Sequence, residues 1–367
     1  MFGLQSLQLT HEPIEFSIRD LRSIGDVVEV LVVTDLLAQI FYLGSQVAFL
    51  TAGNLTHARY DMRIATYQRP VLIYNPQAGK LRGNHERMLH RTTEALARAS
   101  GFLAAPPRLM PTAEAGHAND LARDAVKEGA DLVIALGGDG TINEVANGLA
   151  LTSVPLGILP AGTANVLAME IGLGSGLERA ASRLANTSTK RIALGKIAAG
   201  SLEPRYFVLM AGVGLDAKIV QDVSSPLKNK IGKGAYWAAG FSQLPRRLAQ
   251  FDLRMNGTVY RGGFALASRV RNYGGDMEIA SGASLLKDDF ELVMFEGSNP
   301  LRYMGYMLAV AARQVKKLPG VHTIRTKSLE IVSRAHLQVD GEYAGMECAR
   351  IEIVPDALTL LVPSSYL

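Results

Sequence analysis

The 367-residue chain has one cysteine, one tryptophan, no low-complexity tract and a net charge of only +4. A lone Cys348 can form neither an internal disulfide nor a cysteine metal cluster, which fits a reducing, cytoplasmic setting. The start of the chain lacks the basic region of a secretory signal, since the first basic side chain after His11 is Arg19. Basic residues gather in the second half at Lys228, Lys230 and Lys233, at Arg246 and Arg247, and at Arg313, Lys316 and Lys317. Such clusters attract anionic headgroups, although ordinary solvated surface explains each cluster alone as well. No nucleic-acid partner is expected.

Long hydrophobic runs are scarce too. Val30 to Gly53 is nearly continuous apolar sequence, broken by Asp35, Gln39 and Gln46. A membrane span needs about 20 apolar residues, and a central Asp costs on the order of 3 kcal/mol. Asp35 lies near one end, so the run reads as a hydrophobic helix resting on a membrane surface or on the protein body. It belongs to an N-terminal extension over residues 1–66.

What is present is 36 glycines, several of them in short loops that follow apolar runs. Val71–Tyr74, Leu132–Leu136 and Leu156–Leu159 are short apolar strands alternating with helical stretches. Met88, Thr92, Ala95, Leu96 and Ala99 share a face of one helix, and Ala118, Leu121, Ala122 and Ala125 of the next, which Gly129 stops. That alternation predicts an α/β domain over 67–190: a parallel sheet in three layers, covered on both faces. From 191 to 367 the pattern turns to strands and hairpins. Asn256-Gly257 is a type I′ hairpin signal between Phe251–Met255 and Thr258–Tyr260. Phe264–Val270, Phe290–Phe295, His322–Val332 and Leu337–Val339 are further strands, with helices near Tyr236 and Met304. A mainly β, sandwich-like C-terminal domain is expected, and its last strands, Arg350–Val354 and Ala357–Val362, either finish it or return to the first domain.

Chemistry concentrates in three loops. Gly137-Gly138-Asp139-Gly140-Thr141 follows a buried strand and opens a helix, where free N–H groups and the helix dipole favour phosphate oxygens. Thr141 and Glu144 have capping-box spacing. A ligand-free turn would explain a glycine pair, but Asp139 amid the glycines asks for a cation or hydroxyl beside it. Asn75-Pro76-Gln77-Ala78-Gly79-Lys80 and Pro160-Ala161-Gly162-Thr163-Ala164-Asn165 have the same placement after strands. Ligands of open parallel sheets bind beyond the carboxyl ends of the strands, so three such loops predict a nucleotide site.

The segments NPQAGK, GGDGTINEVANGL and PAGTAN, in that order, resemble the catalytic domain of the bacterial diacylglycerol kinase and lipid kinase family, which is related to sphingosine kinases and more distantly to NAD kinases. Gly212-Val213-Gly214-Leu215-Asp216-Ala217 and Gln338-Val339-Asp340-Gly341-Glu342 are similar to two further family segments, so the likeness covers roughly residues 68 to 365. The resemblance implies ATP contact by Asn75 to Gly79, Thr112, Gly137 to Thr141 and Thr163. It further implies Glu342 as proton acceptor with Asp340 beside it. Two departures stand out: Val166 where many members have Asp, and Lys287-Asp288-Asp289-Phe290 where the family has a magnesium-associated Asp-Gly. Asp288 is the metal candidate there. The histidines, His85, His90 and His117 among them, lack paired ligand spacing.

The expected reaction is transfer of the γ-phosphate of ATP, with Mg²⁺, to a lipid hydroxyl such as that of diacylglycerol. Lys80 and the loop backbone hold the phosphates, and Glu342 takes the hydroxyl proton. The lipid and the membrane surface are the expected partners, and a homodimer is compatible with them. An NAD kinase-like enzyme and a nucleotide-binding regulator without transfer activity are the rivals.

Overall fold

The computed structural model describes residues 66–98, 101–200, 202–223, 248–274 and 277–367. The chain divides into two units, Met1–Arg63 and Ile64–Leu367, and the described residues belong to the second. The hydrophobic run at 30–53, the helix expected near Tyr236 and the basic residues between Lys228 and Arg247 lie outside them. Among the described residues no helix is long and apolar enough to cross a membrane.

An α/β half comes first: β1 Pro70–Tyr74, α1 His85–Ala97, β2 Arg108–Pro111, α2 His117–Lys127, β3 Leu132–Gly137, α3 Asp139–Leu149, β4 Leu156–Pro160, α4 Val166–Glu170 and α5 Leu177–Leu184. Its strands run parallel in the order β2-β1-β3-β4. β3 and β4 are buried along their whole length, as expected when helices cover both faces. α1 turns Leu89, Thr92 and Leu96 inward, and α2 turns Ala118, Ala122 and Ala125. Gly129, at φ +81°, supplies the left-handed stop after α2.

The β-rich half follows with β5 Thr187–Ala199, β6 Leu202–Phe207, β7 Met210–Gly214, α6 Leu215–Val223, β8 Phe251–Met255, β9 Thr258–Gly262, β10 Phe264–Ser268, β11 Asn272–Tyr273, β12 Met277–Glu278, β13 Phe290–Phe295, α7 Pro300–Ala311, β14 Val321–Thr326, β15 Ser328–Val339 and β16 Glu342–Pro363. Asn256 and Gly257 both take positive φ, the I′ geometry that joins β8 to β9. The run read as one strand over His322–Val332 breaks at Lys327, between β14 and β15. By contrast, Arg350–Val354 and Ala357–Val362 are parts of one long β16, whose pairing with β5 shifts register between Val354 and Leu358. Past that irregularity Leu360 pairs with Leu156 of β4 in parallel. The end of the chain thus joins the sheets of the two halves into one of fourteen strands among the described residues. A second core, with Phe207, Phe251, Phe290, Leu337 and Ile351, fills the β-rich half.

Candidate active site

The strand register aligns the loops. Tyr74 pairs with Pro111 on one side and Leu136 on the other, and Leu136 with Leu159. Four strands therefore end side by side, and Asn75, Thr112, Gly138 and Ala161 leave them together. Between β1 and β3 the connections diverge in opposite directions, the switch point at which open α/β sheets bind ligands. A cleft of about 530 Å³ opens there, lined by Asn75, Pro76, Gln77, Ala78, Thr112, Ala113, Glu114, Ala115, Gly138, Gly140, Thr141, Glu144, Gly162 and Glu342.

Close backbone approach explains the glycines. A Cβ on Gly162 would lie 2.5 Å from Gly138 Cα, so the two loops touch backbone to backbone. A Cβ on Gly140 would stand 2.9 Å from Glu342 Oε1. Asn165 holds the second loop closed: at φ +50° its Oδ1 accepts from Gly162 N–H (2.9 Å) and its Nδ2 donates to the Gly162 carbonyl (2.8 Å). Asn75 Oδ1 accepts from Gln77 N–H at 2.8 Å and shapes the first loop in the same manner.

Several expected contacts are placed otherwise. Lys80 does not line the cleft; its Nζ donates to the carbonyls of Pro160 (3.1 Å) and Ser175, tying the first loop to the third, and burial lowers its pKa. Gly79, Gly137 and Thr163 also lie off the lining. Asp139 turns away, and its Oδ1 accepts from Leu167 N–H at 3.3 Å at the start of α4. Burial raises its pKa while backbone donors at 165–167 oppose the rise. The carboxylate thus fastens one glycine loop to the next. Val166 is buried within that junction and does not line the cleft. The capping box does not form either: Gly138 is the N-cap of α3, and Glu144 Oε2 reaches Ala118 N–H of α2 at 3.1 Å.

Asp340 and Glu342 share a turn but not an environment. Asp340, at φ +49°, is buried and accepts from the N–H groups of Val208 (2.9 Å), Leu209 (3.0 Å) and Met210 (2.8 Å). Burial pushes its pKa up to about 7 against those three donors. Its oxygens accept from the backbone on the side away from the cleft, and it anchors the turn. Glu342 points into the cleft, its side chain 47% exposed, with Arg205 Nη1 3.5 Å from Oε2.

A buried chain of side chains sets this turn. Gln338 Oε1 accepts from Gly341 N–H (2.8 Å), and its Nε2 donates to Asp216 Oδ2 (2.6 Å). The Tyr273 hydroxyl donates to the other Asp216 oxygen. Burial lifts the Asp216 pKa to about 6, opposed by these two donors. A Cβ on Gly212 would fall 1.5 Å from Asp216 Oδ2, which explains that glycine. Arg205, Asn143 and Asn147 escaped the sequence reading. Asn147, on α3, accepts from Tyr206 N–H and donates to its carbonyl, both at 2.9 Å, and so pins the β-rich half to the glycine-loop helix. Its place inside GGDGTINEVANGL was the available signal.

Asp288 is exposed and lies off the cleft, and no group of three or more His, Cys, Asp or Glu poised for a metal occurs among the described residues.

Residues 69–197 match the diacylglycerol kinase catalytic domain, and residues 210–362 match the YegS C-terminal NAD kinase beta sandwich-like domain. The diacylglycerol kinase of Bacillus subtilis (strain 168) is 30% identical over 291 residues, covering 76% of this chain and 91% of that protein. The diacylglycerol kinase of Staphylococcus haemolyticus is 32% identical over 283 residues, covering 75% and 82%. A crystal structure of a diacylglycerol kinase from Bacillus anthracis superposes with a TM-score of 0.62 at 21% identity, over 82% of this chain and 99% of that one, which shows the fold. An α/β half and a β-rich half meeting at the glycine-loop cleft define a kinase fold of two halves. The chain belongs to the diacylglycerol kinase family of lipid kinases.

Proposed function

We propose that the protein transfers the γ-phosphate of ATP to the hydroxyl of a lipid, diacylglycerol or a close relative, with Glu342 as general base. The observation that carries this reading is the Glu342 carboxylate 2.9 Å from the Cβ position of Gly140, at the mouth of the glycine loops. The triphosphate lies along the backbone N–H groups of Gly140 and Thr141 at the start of α3, beside the loop at 75–78, with the γ-phosphorus facing Glu342. The lipid oxygen attacks phosphorus in line, its proton passes to Glu342, and the bond to the β-phosphate oxygen breaks to release ADP. Glu114, Glu144 and Glu342 line the cleft without a cationic side chain. ATP is therefore expected as its Mg²⁺ complex, in which the ion neutralises the phosphates. Labelled ATP with diacylglycerol, ceramide-like, sphingoid and glycolipid acceptors and NAD, read by mass spectrometry, tests the reading. A phosphorylated NAD, or bound ATP with every lipid unchanged, overturns it.

Membrane contact at α7 belongs to the same proposal. Leu301 (73% exposed), Met304 (45%) and Leu308 (71%) face solvent on one side of this helix, while Tyr303, Tyr306 and Val310 pack inward. Exposed Arg313 and Lys317 follow within two turns, a charge pattern suited to an anionic bilayer surface. Replacing Leu301 and Leu308 by Glu should abolish sedimentation with anionic vesicles and leave the thermal midpoint in place; unchanged sedimentation sinks the assignment.

A further inference from the structure

The family resemblance implies a metal ion at the loop before β13, and this chain has Lys287-Asp288-Asp289 there. The chemistry of that loop does not fit one. Three of its carbonyls turn inward, and an arginine already fills the space between them. Arg269, at the end of β10, is fully buried. Its Nη2 donates to the Leu285 carbonyl at 2.9 Å, and Nη1 donates to those of Lys287 at 3.0 Å and Asp289 at 3.5 Å. Inward carbonyls at near-alternate positions are what a hard cation takes from a loop, and here a guanidinium takes them. The Asp289 carboxylate is committed outward to Arg325, through Nε at 2.8 Å and a second N–H, which leaves Asp288 alone at the surface.

We propose that Arg269 is a built-in cation holding the 285–289 loop in place of a metal, so that this chain folds and binds nucleotide without an ion there. Burial lowers its pKa to about 10, with Asp288 and Asp289 opposing the fall, so it stays charged at neutral pH. A divalent ion in the cradle would displace it and strand a buried charge. The same residue reaches the catalytic turn. Its backbone N–H donates to the Leu209 carbonyl at 2.8 Å, and the Leu209 N–H is held by Asp340 two residues from Glu342. Leu285 N–H in turn donates to the Tyr366 hydroxyl (3.4 Å), which donates to Glu170 of α4 (3.2 Å). Arg269 is thus a positioning residue shared by the loop, the turn and the α/β half.

The test uses the full chain, chelator-treated and free of nucleotide. Millimolar Mg²⁺ or Ca²⁺ should move its thermal midpoint by less than about 1 °C, and Asp288→Asn should respond alike. Arg269→Leu should lower the midpoint by about 5–10 °C, and Arg269→Lys should recover only part of the loss, because an ammonium cannot reach three carbonyls as a fork does. A saturable rise in the wild-type midpoint, or Mn²⁺ binding seen by electron paramagnetic resonance, that Asp288→Asn abolishes would overturn the proposal. So would an Arg269→Leu midpoint equal to the wild type. Should Arg269→Leu fail to fold, the wild-type and Asp288→Asn arms decide alone.

Discussion

On the α/β side of the cleft the chain presents backbone, and on the β side it presents one carboxylate raised by a scaffold of buried side chains. The first wall depends on what is missing: no Cβ at Gly138, Gly140 and Gly162, so that loops meet at van der Waals distance. The second depends on what is filled: Asp216, Gln338 and Asp340 spend their polar atoms on one another and on the chain, so that Glu342 need not. The contrast teaches that two neighbouring acids can divide their work by burial alone. Asp340 holds the turn, and Glu342 faces the cleft.

The sharpest way to break that contrast is the pair of amide variants. Glu342→Gln should cut lipid phosphorylation by about 10²- to 10⁴-fold while nucleotide affinity and the urea midpoint stay near wild type. Asp340→Asn should do the reverse in kind. It places an NH₂ against backbone donors and should lower unfolding free energy by about 2–4 kcal/mol, read in urea. Equal stability for Asp340→Asn, with activity lost, would make Asp340 the chemical group and undo the comparison.

Substitutions at the glycine wall and the hinge between the walls come next. Gly140→Ala forces its methyl against Glu342 Oε1 and should lower turnover by about 10- to 100-fold with the fold intact, as a misplacement of about 1 Å does. Circular dichroism and single-turnover kinetics separate the two. Asn147→Ala leaves both Tyr206 backbone groups without their partner and should cost about 1–3 kcal/mol in denaturant, with an added loss of activity if the halves shift. Gly257→Ala, in a hairpin far from the cleft, is the control for positive-φ strain without loss of turnover.

The smallest effect is a pH slope. Asp216 and Asp340 have folded pKa values raised to about 6 and about 7, above the roughly 3.9 of an unfolded Asp. The folded state then binds these protons more tightly, so their contribution to stability is complete below about pH 4 and is lost as pH rises to about 7. Asp216→Asn should flatten the stability profile between pH 4 and 6 relative to wild type. A steeper fall with pH in the variant would show that the charged form of Asp216 is the stabilising one.

Much of the α/β half could be read in advance because its signals are local. Apolar runs such as Leu132–Leu136, followed at once by Gly137-Gly138, encode strand, turn and helix within a few residues. The β1, β3 and β4 loops and the Asn256-Gly257 hairpin were legible for that reason. Asp139 was misread, since its partners lie at 165–167, and Lys80 because Pro160 and Ser175 are far along the chain. The acidic turn at Asp340-Gly341-Glu342 was legible through its segment alone, whereas Arg205 and Asn147 carry no local sign of what they meet.

Residue order and type by themselves determined the two-half architecture, the three glycine loops and the acidic turn, because backbone freedom and hydrophobic period are properties of short segments. Only the tertiary structure decided which carboxylate faces the cleft, which lysine is tied up and which cation sits in the 285–289 cradle. Charges and hydrogen bonds respond to burial and to partners up to 196 residues away, as with Glu170 and Tyr366, and those distances close only when the sheet is complete.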